Sequence, residues 1–213
     1  MVIGAGVCFI NYSQYPTVSA RILIVMALLG GACCAVAWFK TQTDRRGRFE
    51  LRDKLLGSLA LQGDEKVLDF GCGGGLFAVG AAKLLKTGKV TGADPWTFGA
   101  SMDGAKENAK TEGVADRVRF ETCNPFKLSY PENHFDVVLS SEFLHRLEDH
   151  NERTSAMREM YRVTKSGGRI LIFDSGDTGY YAQVLREIGA KDVALSAYSF
   201  PWLIPHRSIS GSK

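Results

Sequence analysis

The residues best suited to hold a ligand are Asp69, Gly71, Gly73 and Gly75, in the run Val67-Leu68-Asp69-Phe70-Gly71-Cys72-Gly73-Gly74-Gly75. An apolar run ends in an acid, then a loop with almost no side chains leads into a helical pattern from Leu76. Such a loop brings backbone N–H groups and a helix N-terminus close to a ligand. It is not a phosphate-binding P-loop, because no Gly-Lys-Ser/Thr follows. It is not a dinucleotide fingerprint either, because the third glycine counted from Gly71 would fall on Leu76. A carboxylate just before the loop is badly placed beside a pyrophosphate and well placed beside a cation.

A second acid, Asp94, ends the next apolar run, Lys89-Val90-Thr91-Gly92-Ala93. An acid in that position accepts hydrogen bonds from ribose hydroxyls. The combined demand is a ribose, an adenine and a cationic tail without phosphates, which S-adenosylmethionine meets. Two side chains further along invite proton chemistry. His145 follows a strongly apolar run and is the residue type best tuned to take a proton near neutral pH. Glu142 is the rival base, and a purely structural role for His145 stands beside both. Methyl transfer from a sulfonium asks the protein mainly for positioning and exclusion of water.

The elements that must position these residues alternate. The pattern predicts strands at 66–70, 89–94, 117–122, 135–141, 169–174 and 192–199, with a weak last one at 206–210. Helices are predicted at 50–61, 76–85, 102–112, 151–164 and 180–188. Strand–helix alternation predicts a mostly parallel, doubly covered α/β sheet. Ligands of such sheets sit at the carboxyl ends of the strands, where Asp69, Asp94, Asn124 and Ser141 fall.

Four ordered segments, VLDFGCGGG (67–75), VTGAD (90–94), FDVVLSSEFLH (135–145) and REMYRVTKSGGRILIFD (158–174), make the chain resemble the class I S-adenosylmethionine-dependent methyltransferases. The resemblance is to the small-molecule branch that includes the menaquinone methyltransferases, and it covers about residues 50–190. It implies a Rossmann-like sheet of seven strands, the last one antiparallel. It also implies that Gly71, Cys72, Gly73 and Gly75 face the methionine part of the cofactor, with Asp69 near its amino end. Asp94 would take the ribose hydroxyls, with Pro95 and Trp96 beside the adenine, and Ser140 and Ser141 would border the site. Where the family has Gly-Asp after the third strand this chain has Cys123-Asn124. An Asn carbonyl can still accept from the adenine amino group but carries no charge.

The net charge of +3 and the absence of basic runs interleaved with aromatics argue against nucleic acid. Five cysteines without zinc-like spacing point to reduced thiols and no metal. Ile22 to Phe39 holds no charged residue and is followed by Lys40, Arg45, Arg46 and Arg48. As a helix it would span about 27 Å, just enough for a bilayer. Residues 1–40 are therefore expected as a membrane anchor, through 22–39, rather than a cleaved signal or a packed core helix. Met1–Ile10 would be an interfacial piece or the remnant of another span. Residues 41–48 are expected as a basic linker, and 49–213 as the catalytic domain in the cytosol. The sequence thus predicts methyl transfer from S-adenosylmethionine to a small, hydrophobic or membrane-associated acceptor. The alternatives are a cofactor-binding module without catalysis and a Rossmann dehydrogenase.

Overall fold

The computed structural model describes residues 16–200 and 204–213. Met1–Ile10, expected as an interfacial piece, lies outside them. The chain divides into two units, Met1–Arg46 and Gly47–Lys213. In the first, helix α1 (Pro16–Ser58) begins. Its side chains at Ile24, Val25, Met26, Leu28, Leu29 and Val36 are all exposed. Among the described residues no helix is long and apolar enough to cross a membrane. Residues 41–48, expected as a linker, are helical, so α1 continues to Ser58. The reason is local: this stretch has no proline and one glycine, and its three arginines and Gln42 are good helix formers.

The second unit is a seven-stranded sheet in the order β3-β2-β1-β4-β5-β7-β6. The strands are β1 (Lys66–Phe70), β2 (Lys89–Asp94), β3 (Val118–Thr122), β4 (Phe135–Ser141), β5 (Thr164–Asp174), β6 (Lys191–Leu195) and β7 (Arg207–Ser212). The helices are α2 (Leu76–Leu84), α3 (Met102–Thr111), α4 (His150–Val163) and α5 (Thr178–Glu187), with a short 3-10 turn at Leu144–Arg146. The first five strands pair in parallel, and β7 runs antiparallel between β5 and β6. The expected architecture is therefore present. The largest boundary differences are in β5, which starts at Thr164 where it pairs with Phe135 ahead of a register shift, and in β6, which ends at Leu195 rather than at 199.

Period-two alternation gives the sheet two apolar faces. Val67, Val137, Leu139, Leu171 and Phe173 join one core with α2 and with Leu55, Leu56 and Leu59. Leu68, Phe70, Val138, Ile170 and Ile172 join the other with α4 and α5. The predicted leucine face of residues 50–61 thus packs on the sheet, with Leu51 partly buried beside it. Gly80 makes the contact close, since a Cβ there would stand 2.8 Å from Leu56 Cδ1. Chain order turns outward in both directions from the β1–β4 pair, and this reversal opens a crevice at the carboxyl ends of those strands. Because Leu56 is 1% exposed, Leu56→Ala should cost about 2–5 kcal/mol in urea unfolding. A loss under about 1 kcal/mol would show that this end of α1 is not part of the core.

Candidate active site

Strand β1 delivers Asp69 fully buried, one residue before the loop. Its Oδ2 accepts from the Ala78 backbone N–H at 2.8 Å. Helix α2 needs this bond, because its N-cap is Gly75 and carries no side chain to satisfy the first-turn N–H groups. Burial pushes the Asp69 carboxyl up to about 7, the Ala78 N–H pulls it down, and nearby Asp94 raises it again. Asp69 therefore does the capping job directly, and it also borders the crevice.

The loop is held by Asp94. Its Oδ2 accepts from Gly73 N at 2.9 Å and its Oδ1 from Trp96 N at 2.7 Å. One buried carboxylate thus fixes the turns after β1 and β2 to each other. Gly71 admits a close approach: a Cβ there would lie 2.1 Å from the Phe143 ring. Gly73 has φ +49° and open space where a Cβ would be. This is the bare surface a ligand needs.

A cavity of about 320 Å³ lies against this loop. Asp69, Gly71, Cys72, Gly73 and Gly74 line it on one side, and Asp94, Phe98 and Ala100 on another. Ser141, Glu142, Phe143 and Arg146 close it from β4, with Arg48 and Leu51 from α1. Of the expected cofactor residues, Gly75, Pro95, Trp96, Cys123, Asn124 and Ser140 are not on its wall. Gly75 packs under Phe120. Trp96 has φ +60°, which turns its ring onto the core, with its buried Nε1 lacking a hydrogen-bond partner. Asn124 spends its side-chain carbonyl on Phe126 N at 2.9 Å in an exposed turn. Cys123 is half-buried, and burial raises its thiol pKa. Ser140 is buried with no partner for its Oγ. Cys72 is buried at the wall, and burial, then Asp69 and Asp94, hold its thiol well above the usual range. Gly73 and the carboxylates of Asp94 and Asp69, all on the cavity wall, fit an adenosine ligand with a cationic tail.

Beyond β4 the structure gathers four titratable side chains. His145 Nδ1 lies 2.8 Å from Asp174 Oδ1, and His145 N donates to Asp174 Oδ2 at 3.3 Å. Asp174 Oδ1 also accepts from Gly176 N at 2.8 Å. This bond to Asp174 raises the His145 pKa, with burial opposing it. Glu142 Oε1 stands 3.0 Å from His206 Nε2, and burial raises its carboxyl pKa while His206 lowers it. Glu142, His145 and Asp174 offer ligand-type atoms within 4.8 Å of one another, a composition that also suits a divalent cation. His145 itself is not on the cavity wall; Glu142 is. The sequence reading missed Asp174 and His206, and also Phe98, Phe143 and Arg146. Asp174 carried the signal that marked Asp69 and Asp94, an acid at a strand's carboxyl end. His206 carried none, sitting before a short strand of serines.

Residues 68–172 match a family model described as a methyltransferase domain. The 27-O-demethylrifamycin SV methyltransferase of Amycolatopsis mediterranei is 36% identical over 124 residues, 58% of this chain and 43% of that protein. The ubiquinone/menaquinone biosynthesis C-methyltransferase UbiE of Bdellovibrio bacteriovorus is 33% identical over 126 residues, 59% of this chain and 50% of that protein. The chain thus spans half or less of the length of these relatives. Among solved structures, a SAM-dependent methyltransferase from Aquifex aeolicus superposes with TM-score 0.60 at 18% identity, covering 75% of this chain and 88% of that one. The [4+2]-cyclase SpnF does so with TM-score 0.66 at 19% identity, covering 78% and 81%. These two likenesses concern the fold.

The raised Asp69 pKa has a sign that can be measured. A carboxyl at about 7 when folded and near 3.9 when unfolded holds more protons in the folded state between those values. Its contribution to stability is then full below about pH 4 and falls as pH rises towards 7. Asp69→Asn keeps an acceptor for Ala78 N–H and removes the titration. Urea midpoints at pH 5 and pH 8 should fall more for the wild type than for the variant. Equal falls would mean that the buried carboxyl ionises in its ordinary range.

Proposed function

We infer that this chain, a methyltransferase domain over residues 68–172, moves the methyl group of S-adenosylmethionine to a hydroxyl oxygen of a small, lipophilic acceptor. The methyltransferase fold implies that cofactor. When bound, it supplies an electrophilic methyl group on a sulfonium. Asp94 and the N–H groups around Gly73 would hold its ribose and tail, and Asp69 would face its positive charge. The observation that carries the choice of a hydroxyl is the His145–Asp174 pair at 2.8 Å. Asp174 is an acceptor there, so the shared proton sits on Nδ1 and leaves Nε2 with a lone pair. A hydroxyl must lose its proton as its oxygen becomes an ether, and a histidine oriented by a buried acid is suited to take it. The relatives' names include both an O-demethyl substrate and a C-methyltransferase; the pair favours oxygen. Phe98, Phe143 and Leu51 give the cavity apolar walls for a lipophilic body.

We also propose that residues 22–39 tie this domain to the cytosolic side of a membrane, where such acceptors concentrate. The support is the eighteen-residue uncharged run with basic residues after it and the exposed apolar side chains at Ile24, Val25, Met26, Leu28, Leu29 and Val36. A second reading, binding of the cofactor without catalysis, draws on Cys123-Asn124, where the adenine-reading carbonyl is already engaged by Phe126 N.

A methyl-transfer screen with labelled cofactor over phenols, alcohols and lipid extract tests the function. Ether products are expected, and cofactor binding without any product would favour the second reading. For an active acceptor, kcat/KM should rise with pH as His145 loses its proton, with the limb above the ordinary histidine range because Asp174 raises that pKa. Asp174→Asn should move the limb to lower pH and cut kcat about a hundredfold or more. An unmoved limb would remove His145 as the base. Deleting residues 1–40 should shift the protein from the membrane pellet to the supernatant after cell fractionation. Full-length protein found in the supernatant without detergent would end the anchor reading.

A further inference from the structure

The second unit exposes its large apolar side chains unevenly. Phe98, Phe126, Tyr198, Phe200 and Ile204 are exposed, and each follows the carboxyl end of a strand, β2, β3 or β6. Leu84 is exposed at the end of α2, next to the amino ends of the strands. The connection from β6 to β7 carries three of these side chains. Leu195 pairs with Ile209, and Arg207 pairs with Asp174, the last residue of β5. The connection therefore emerges at the edge where the crevice opens. Its base is held by Ser199 and His206, whose N–H groups donate to each other's carbonyls at 2.9 and 2.8 Å. Residues 196–205 contain no charged residue. Tyr198, Phe200 and Ile204 are 61%, 65% and 53% exposed. The Arg207 guanidinium lies 4.7 Å from the centre of the Tyr198 ring, a pairing that lets a cation stay in a polar layer while the ring beside it enters an apolar one.

The size and composition of this patch select what covers it. Taking about 200 Å² for a whole aromatic side chain, Tyr198, Phe200 and Ile204 expose roughly 400 Å². A stable protein interface takes about 800 Å² from each partner. A bilayer has no such requirement, because single aromatic residues settle at its headgroup level. Phe98 is exposed at the same edge and is part of the cavity wall, so apolar surface leads from that edge into the crevice. We propose that Tyr198, Phe200 and Ile204 dip into the interface of a phospholipid bilayer, so that the mouth of the crevice faces the lipid. This extends the membrane reading above and rests on it for the kind of surface, but it uses residues remote in sequence from 22–39. A lipophilic acceptor then reaches the crevice from the bilayer without crossing water.

Indole reporters test the two membrane contacts separately. Full-length protein is mixed with phosphatidylcholine vesicles, either plain or brominated near the glycerol end of the acyl chains, and tryptophan emission is compared. The parent carries Trp38→Phe and Trp202→Phe and keeps Trp96, whose ring packs on the core; its quenching is subtracted from the others. Phe200→Trp in that parent reports the connection, and Leu84→Trp in the same parent reports the opposite edge. Trp202→Phe alone keeps Trp38 and reports residues 22–39. All the introduced changes are at exposed positions or outside the described residues, so the sheet is left intact. The indole at position 200 should lose about half or more of its emission to the bromines, because interfacial aromatics sit at headgroup level. The indole at position 84 should lose none. No quenching at 200, or equal quenching at 84, overturns the proposal. Quenching at 200 with none at Trp38 leaves it standing and ends the anchor. Quenching at Trp38 with none at 200 does the reverse. An unquenched position 200 in a protein that sediments as a dimer would give the patch to a second copy of the chain instead.

Discussion

Helix α2 starts on a residue with no side chain, and the whole site follows from how that start is satisfied. A helix needs its first N–H groups paired, and most helices recruit a Ser, Thr, Asp or Asn at the cap. Here the acceptor comes from behind, from Asp69 on strand β1. The loop itself is thereby freed from any capping duty. It can consist of glycines, come close to Phe143 at Gly71, and leave open space at Gly73. A cap of the usual kind would put a side chain where the ligand must go. The cost is a buried carboxyl with a raised pKa, which neighbouring positive charge would relieve.

The same logic recurs at each strand end. Asp94 ends β2 and ties two turns together through their N–H groups. Asp174 ends β5 and holds His145 by both backbone and ring. Each acid organises the backbone around it, and Asp69 and Asp94 also line the crevice. Parallel strands make this convergence possible, since all of them deliver their carboxyl ends to one edge. The antiparallel β7 adds what a purely parallel sheet could not. It brings His206, from just before its own start, to the carboxyl end of β5 and against Glu142.

Much of this was legible in the chain. Strands β1, β2 and β4 match the expected limits to the residue, because apolar runs bounded by Gly, Asp or Ser leave little freedom. The start of β5 was not legible, since Ser166-Gly167-Gly168 reads as a turn while its backbone still continues the strand. Residues 41–48 are helical although their charge reads as loop, since arginine favours helix, and the boundary between the two units falls within them. Of the residues singled out from spacing, Asp69, Gly71, Gly73 and Asp94 line the crevice and Gly75 lies off its wall. Trp96 has a positive φ and packs against the core, a placement no residue pattern signals. Asn124 places its side-chain carbonyl on a local turn, accepting from Phe126 N, as Asn often does.

Cys72, a potential nucleophile, stands on the wall of the crevice where the proposed function seats an electrophile. Sulfur is a better methyl acceptor than oxygen once it is a thiolate, and Cys72 lies in the loop itself. Its burial and the two acids beside it push its thiol pKa well above the usual range. Under the proposed function this would keep the domain from alkylating itself. Asp69 and Asp94, which line the crevice, would then also hold back a thiol that could consume the methyl group before an acceptor arrives.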